Sequence, residues 1–133
     1  MIFALDTNII SYWLQKNKRI IEQLNQIIRQ GDNIIIPPVA YYEIRRGFKH
    51  KAALGKEVAF SLICNSYKIG EMNLIVWEQA ADIYGYTRKA GNSIEDTDIL
   101  IAAFCIVNDY TLVTNNVKHF NGIKDLKLDN WAE

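Results

Sequence analysis

Three acidic residues carry the chemistry that this sequence can support: Asp6 in IFALDTN, Glu43 in YYEIRRG and Asp98 in EDTDILIAAF. Asp6 stands where a short apolar run ends and apolar residues at helical spacing begin. A charge at such a junction is costly without a partner, so Asp6 either caps a helix or holds a cation. Asp98 is followed by ILIAAF, where a free charge is poorly tolerated, and its expected role is that of a ligand. Three carboxylates in one pocket raise each other's pKa unless a cation neutralises them. Oxygen ligands without His or Cys favour Mg²⁺ or Mn²⁺ over Zn²⁺. Such an ion, with positions left open for water, activates that water and stabilises charge on a phosphodiester under attack. The chemistry is that of a nuclease.

The neighbours of Asp98 have a plainer explanation. Glu95 and Asp96 sit at a helix start, where acidic side chains suit the helix dipole without any catalysis, and Ser93 with Asp96 resembles a loose capping box. Two positions along a helix amount to about 200° of rotation, so Asp96 and Asp98 do not readily share a pocket. Asp98 is therefore the expected ligand, with Asp96 kept as a supporting candidate.

These carboxylates need elements that bring them together. Ile2–Leu5 reads as a short apolar strand, and residues 8–14 begin a helix. Ile20, Ile21, Leu24, Ile27 and Ile28 mark the apolar face of a second helix, stopped by Gly31. The β-branched run 34–36 ends at Pro37-Pro38 and reads as a buried strand. Helices are expected over 39–50 and Leu54–Ser66, and a third strand over 74–76. Trp77, Ala80, Ala81, Tyr84 and Thr87 share a face of the next helix, which ends at Gly91-Asn92. Residues 95–107 are apolar nearly all round and predict a central buried helix. Residues 111–114 give a fourth strand and 126–128 a possible fifth.

This alternation predicts one α/β domain over residues 1–133: a three-layer α/β/α sandwich on a mostly parallel sheet. Ligands of such sheets bind outside the carboxyl ends of the strands. Asp6 follows the first strand, Glu43 lies in the helix after the second, Asp98 begins the buried helix, and Asn115-Asn116 follows the fourth strand. One edge of the sheet can collect them all.

Composition fits a packed domain: half of the 133 residues are hydrophobic, with few Gly or Pro. Cys64 and Cys105 lack metal-ligand spacing and read as reduced core residues. No apolar run is long enough to span a membrane, and the N-terminal stretch has no basic region before it, so the expected location is the cytoplasm. Net charge is zero, yet the first 70 residues hold ten of the fifteen Lys and Arg. RRGFKHK at 45–51 concentrates them. Arg45, Arg46, Lys49 and Lys51 form either a solvated helix face or a phosphate-contacting patch beside an acidic site, and charge alone leaves both readings open.

LDTN at 5–8, Glu43 ahead of RRG, DILIAA at 98–103 and LVTNNVKHF at 112–120 together resemble the PIN domain, and more closely the VapC toxins of bacterial toxin–antitoxin pairs. The resemblance covers nearly the whole chain, including LKLDNW at 126–131. It implies an α/β/α endoribonuclease dependent on Mg²⁺ or Mn²⁺, a homodimer, silenced by a VapB-type antitoxin. Carried over, Asp6, Glu43 and Asp98 are the metal-binding acids, Thr7 is a hydroxyl beside them, and Thr114 bonds a carboxylate or bound water. Many relatives have a fourth Asp where this chain has Asn116, which lowers the negative charge and weakens the case for a second metal. A branch of VapC toxins also reads TNN here and cuts initiator transfer RNA, which makes transfer RNA the suggested substrate.

Other features are plainer. His50 and His119 read mainly as solvated or packed, one of Tyr41 and Tyr42 as core, and Trp13, Trp77 and Trp131 as core or interface anchors. Two rivals remain. A phosphoacceptor domain needs an acidic pair near the first strand's end and a Lys after the last strand, which do not occur here as a set. A PIN-like RNA- or protein-binding module without turnover keeps the patterning but needs no three carboxylates.

Overall fold

The structure is a computed structural model and describes residues 1–131. The elements run β1 (Ile2–Leu5), α1 (Thr7–Leu14), α2 (Lys18–Arg29), β2 (Asn33–Ile36), α3 (Pro38–His50), α4 (Leu54–Ser66) and β3 (Lys68–Ile69). They continue with α5 (Leu74–Lys89), α6 (Asp96–Asn108), β4 (Thr111–Val113), a 3₁₀ turn (Val117–Phe120) and β5 (Lys127–Asp129). The strands form one parallel sheet in the order β3-β2-β1-β4-β5. The three-layer α/β/α expectation holds.

Chain direction explains the layering. From β1 the chain steps to β2 and β3, then returns past β1 to β4 and β5. Right-handed crossovers in opposite directions place their helices on opposite faces, α1–α4 on one and α5–α6 on the other. The packing agrees: α1 meets α2, α3 and α4, while α5 packs on α6. α3 and α6 also touch. β1 and β4 are thus the strands from which the two connections diverge, and the crevice at their carboxyl ends is the place where such sheets bind ligands.

The central strands are buried almost throughout, and Ile99 with Ile101–Cys105 puts most of α6 in the core, as its apolar surround predicted. Burial pushes the Cys105 thiol far above its usual range, with a further push from the Asp6 charge nearby. Trp131 is buried against Phe3, and Trp13 is half-buried on Tyr67. Trp77 is 48% exposed and belongs to no core in this chain.

One expected strand is wrong. Residues 74–76 open α5: Asn73 caps the helix, its side chain accepting from Val76 N at 3.1 Å, and Leu74 and Ile75 stand in solvent. An apolar triplet after a capping Asn reads as strand because its exposure is invisible in the sequence. The third strand is Lys68–Ile69, too short to show a period of two. Gly70 follows it where a Cβ would run into the Phe104 ring, so α6 packs closely over the strand end only because that residue is glycine.

Candidate active site

Asp6 is the first residue beyond β1 and the N-cap of α1, and only 5% of it is exposed. The two sequence readings of Asp6 are not exclusive, because a cap engages only part of a carboxylate's acceptor capacity. Oδ1 accepts from Thr7 N at 2.9 Å and Oδ2 from Thr114 Oγ1 at 2.7 Å. Thr114 is fully buried just past β4, and its Oγ1 also accepts from Asn116 N at 3.0 Å. The ends of β1 and β4 are therefore stapled together through one carboxylate and one hydroxyl. The Asp6 N–H bond to Val113 O, at 2.9 Å, extends the same contact.

Glu43 comes in on α3. Its Oε1 accepts from Thr7 Oγ1 at 2.7 Å, and Arg46 Nη2 lies 3.5 Å from its Oε2 one turn along the helix. Asp98 comes in on the first turn of α6, where His119 Nδ1 lies 3.7 Å from its Oδ2. Asp6, Thr7, Glu43, Asp98 and Asn116 line one cavity of about 170 Å³, together with Asn8, Glu95, Thr97 and His119. α3 and α6 converge there, which is how residues 37 and 92 positions after Asp6 reach the same space.

The charges oppose one another. Burial, then the charges of Asp6, Glu95 and Glu43, push the Asp98 carboxyl up to about 6, with His119 pulling the other way. Asp6 is also raised, first by burial and then by Glu43, although Thr114, Thr7 and His119 offset part of this. A pocket lined by four carboxylates, two of which resist ionisation, is chemically suited to a hard cation. Among the described residues, however, no three Asp, Glu, His or Cys side chains stand close enough together to chelate an ion as they are. Asp6, Glu43 and Asp98 are each turned to a protein partner instead. The donor chemistry fits Mg²⁺ or Mn²⁺.

The structure also sorts the remaining candidates. Asp96 lies outside the pocket, in a separate cavity with Trp77, Tyr84 and Leu100, as the helical rotation argued. It does not line the acidic cavity. Arg45 is engaged within the fold: it lies over the Tyr41 and Phe60 rings and donates to Tyr41 Oη at 3.3 Å and Ser61 Oγ at 3.4 Å. It holds α3 to α4. Lys49 is exposed, and Arg46 lies over the Tyr42 ring beside Glu43. Lys51 lines a groove of about 400 Å³ between α1 and α3, with Lys56 at the same wall.

Glu95, Asn8, Thr97, His119 and Lys56 were not expected in these roles. Glu95 had a signal: it stands three residues before Asp98, the spacing that puts side chains on one helix face. His119 had a weaker one, its place just after a strand whose carboxyl end faces the site.

Fold and site together define a parallel α/β protein with an acidic pocket where its two chain directions diverge. The PIN domain model matches residues 3–125, and the chain belongs to that family. It is 27% identical over 132 residues to Ribonuclease VapC2 of Rickettsia felis, covering 98% of each chain. Against Ribonuclease VapC1 of Haemophilus influenzae strain R2866 it is 29% identical over the full length of both. Among solved structures it superposes on VapBC2 from Rickettsia felis, bound to a DNA fragment from their promoter, with a TM-score of 0.91. That match has 26% identity and covers 98% of this chain and 99% of that one.

Proposed function

We propose that this protein is an Mg²⁺- or Mn²⁺-dependent endoribonuclease acting as the toxin of a VapBC-type toxin–antitoxin pair. The observation that carries the reading is the buried Asp6 facing Asp98 across the divergence of β1 and β4, both disfavoured as free anions. Asp6, Glu43 and Asp98 would hold the ion, which when bound supplies an activated water and offsets charge on the phosphodiester. The protein's own contribution is positional. Thr114 and the Thr7 amide fix Asp6 from opposite oxygens, and the Thr7 hydroxyl holds Glu43, so two acids share one orienting residue. Such outer hydrogen bonds orient ligands and tune their basicity. Asn116 adds an amide to the wall without adding charge. Transfer RNA is the substrate we propose from the TNN sequence.

RNA cleavage with Mg²⁺, Mn²⁺ or chelator tests the reading, with Asp6→Ala, Glu43→Ala and Asp98→Ala as inactive but folded controls. A second reading has one observation in its favour: the carboxylates are not gathered as they stand. A PIN-fold RNA- or protein-binding module would bind RNA with no turnover at any metal concentration.

The partner we propose is a VapB-type antitoxin, matching the two-protein assembly of the Rickettsia neighbour. Its tail would cross the basic end of α3, and hydrogen exchange over 40–56 should slow in the complex. Unchanged exchange there would count against this placement. Leu74, Ile75, Trp77 and Tyr84 leave an apolar face on α5, which we assign to a second copy in a homodimer. Among the described residues no helix is long and apolar enough to cross a membrane, and the cytoplasm is the location that fits an RNA substrate.

A further inference from the structure

The acidic cavity does not stand alone. On one side it shares Thr7 and Glu43 with the α1–α3 groove that carries Lys51 and Lys56. On the other it shares Asn116 and His119 with a cavity of about 540 Å³, completed by Asn115, Val117, Lys118 and Asn130. The acidic cavity at the carboxyl edge of the sheet therefore adjoins both of the others, the lysine groove leading away from it along α1 and α3. Charge alternates across the three: lysines at one end, four carboxylates in the middle, and at the far end Lys118 and His119 with no acid in the wall. A polyanion repelled by the centre finds cations on both flanks.

The far cavity has a second property. Its wall carries three side-chain amides, and an amide presents both a donor and an acceptor. Asn115 gives Nδ2 to Tyr12 Oη at 2.8 Å and keeps Oδ1 buried without a hydrogen-bond partner. An acceptor left so is costly, and a donor that reached it would relieve that cost. The volume lies within the range of small-ligand sites. Single-stranded RNA is read through hydrogen bonds to splayed base edges, for which amides are suited in both directions.

We propose that this cavity is a nucleotide subsite: RNA runs across the adjoining cavities, and the base next to the bond over the acids is read by Asn115 and Asn130. Lys118 contacts a flanking phosphate. The inference rests on the ribonuclease reading for the position of the cut, but base recognition is measured separately from it.

The full chain carrying Asp98→Asn is incubated with a randomised pool of single-stranded RNA hexamers in Mg²⁺, and bound sequences are counted. Cleavage of the same pool by the unaltered chain is followed in parallel. The expected result is a preference concentrated at one position, which Asn130→Ala reduces about tenfold, the scale of one lost amide–base contact. Lys51→Ala should weaken all sequences alike. Side-chain amide signals of Asn115 and Asn130 in the unsubstituted fold should shift on hexamer addition, which guards against a misfolded variant. A preference untouched by Asn130→Ala, with unshifted amides, overturns the subsite even if RNA is cut. A chain that binds with this preference yet cuts nothing in Mg²⁺ or Mn²⁺ supports the subsite and overturns the nuclease reading. A chain that binds no hexamer overturns the subsite, and cleavage of transfer RNA by the unaltered chain then decides the nuclease reading separately.

Discussion

At the carboxyl ends of β1 and β4, charge is buried and held by hydrogen bonds to threonines. Along the last turns of α3, charge is exposed or laid over ring faces. Asp6 is 5% exposed and fixed from both oxygens, whereas Arg46 lies in solvent over Tyr42, with one ion pair to Glu43. The first arrangement opposes its own ionisation, and a cationic ligand would relieve it. The second is stable without one. A charge points to function where it is buried among like charges, whereas a basic helix end is satisfied by water.

The largest effects should come from the buried side of this contrast. Asp6→Ala, Glu43→Ala and Asp98→Ala should each lower RNA cleavage by about 10²-fold or more, since each removes charge that the proposed metal site would need. Asp96→Ala, two residues from Asp98 but in another cavity, should cleave at nearly the unaltered rate in the same assay. An inactive Asp96→Ala beside an active Asp98→Ala would reverse the assignment. One step outward, Thr114→Val should cost about 10–100-fold by freeing one oxygen of Asp6, with Thr114→Ser restoring most of the rate.

The same contrast explains what was legible beforehand. Asp6 and Asp98 were readable because an acid beside an apolar run conflicts with its surroundings, and the sequence displays both the acid and the run. Glu43 has no such local conflict, and its place depended on the resemblance and on α3 following β2. Glu95 was explained away by the helix dipole, although its spacing to Asp98 pointed inward. The error at 74–76 has the opposite cause. Leu74 and Ile75 are apolar and exposed, so a pattern that equates apolar with buried misread the start of a helix as a strand. Arg45 was grouped with its charged neighbours because the sequence does not show that Tyr41 and Phe60 lie beneath it.

The basic side gives smaller effects that split by residue. Lys51→Ala with Lys56→Ala should weaken RNA binding and reduce the slope of log affinity against log salt by about 1.4, two contacts at about 0.7 each for a single strand. Turnover at saturating RNA should fall far less than affinity. Arg45→Ala should leave the salt slope alone and instead lower stability by about 1–2 kcal/mol, through two lost hydrogen bonds and the ring contacts. Urea denaturation and binding titrations on the same variants separate these outcomes. A normal slope in the double lysine variant would return that groove to a solvated face.

The smallest expected effect is a change of stability with pH, and it tests the burial argument without RNA. The Asp98 carboxyl is held at about 6 in the folded chain against an ordinary 3.8, with burial as the main cause. Between those values the folded state binds more protons than the unfolded one, so stability falls as pH rises from about 4 to about 6 and then levels off. Asp6 is raised as well and adds to the same slope. In chelator, the difference in Tm between the unaltered chain and Asp98→Asn should therefore widen over that interval, with the variant more stable by a few degrees at pH 7. Adding Mg²⁺ should narrow the gap at pH 7, because the ion binds the ionised acids of the unaltered chain, and should do less at pH 5, where protons compete with it. Lys51→Ala should keep the unaltered pH profile, since Lys51 lines the α1–α3 groove and not the acidic cavity. A gap that stays constant from pH 4 to 7 would mean that Asp98 ionises freely, and the contrast between a strained acidic crevice and a relaxed basic face would fail at its buried end.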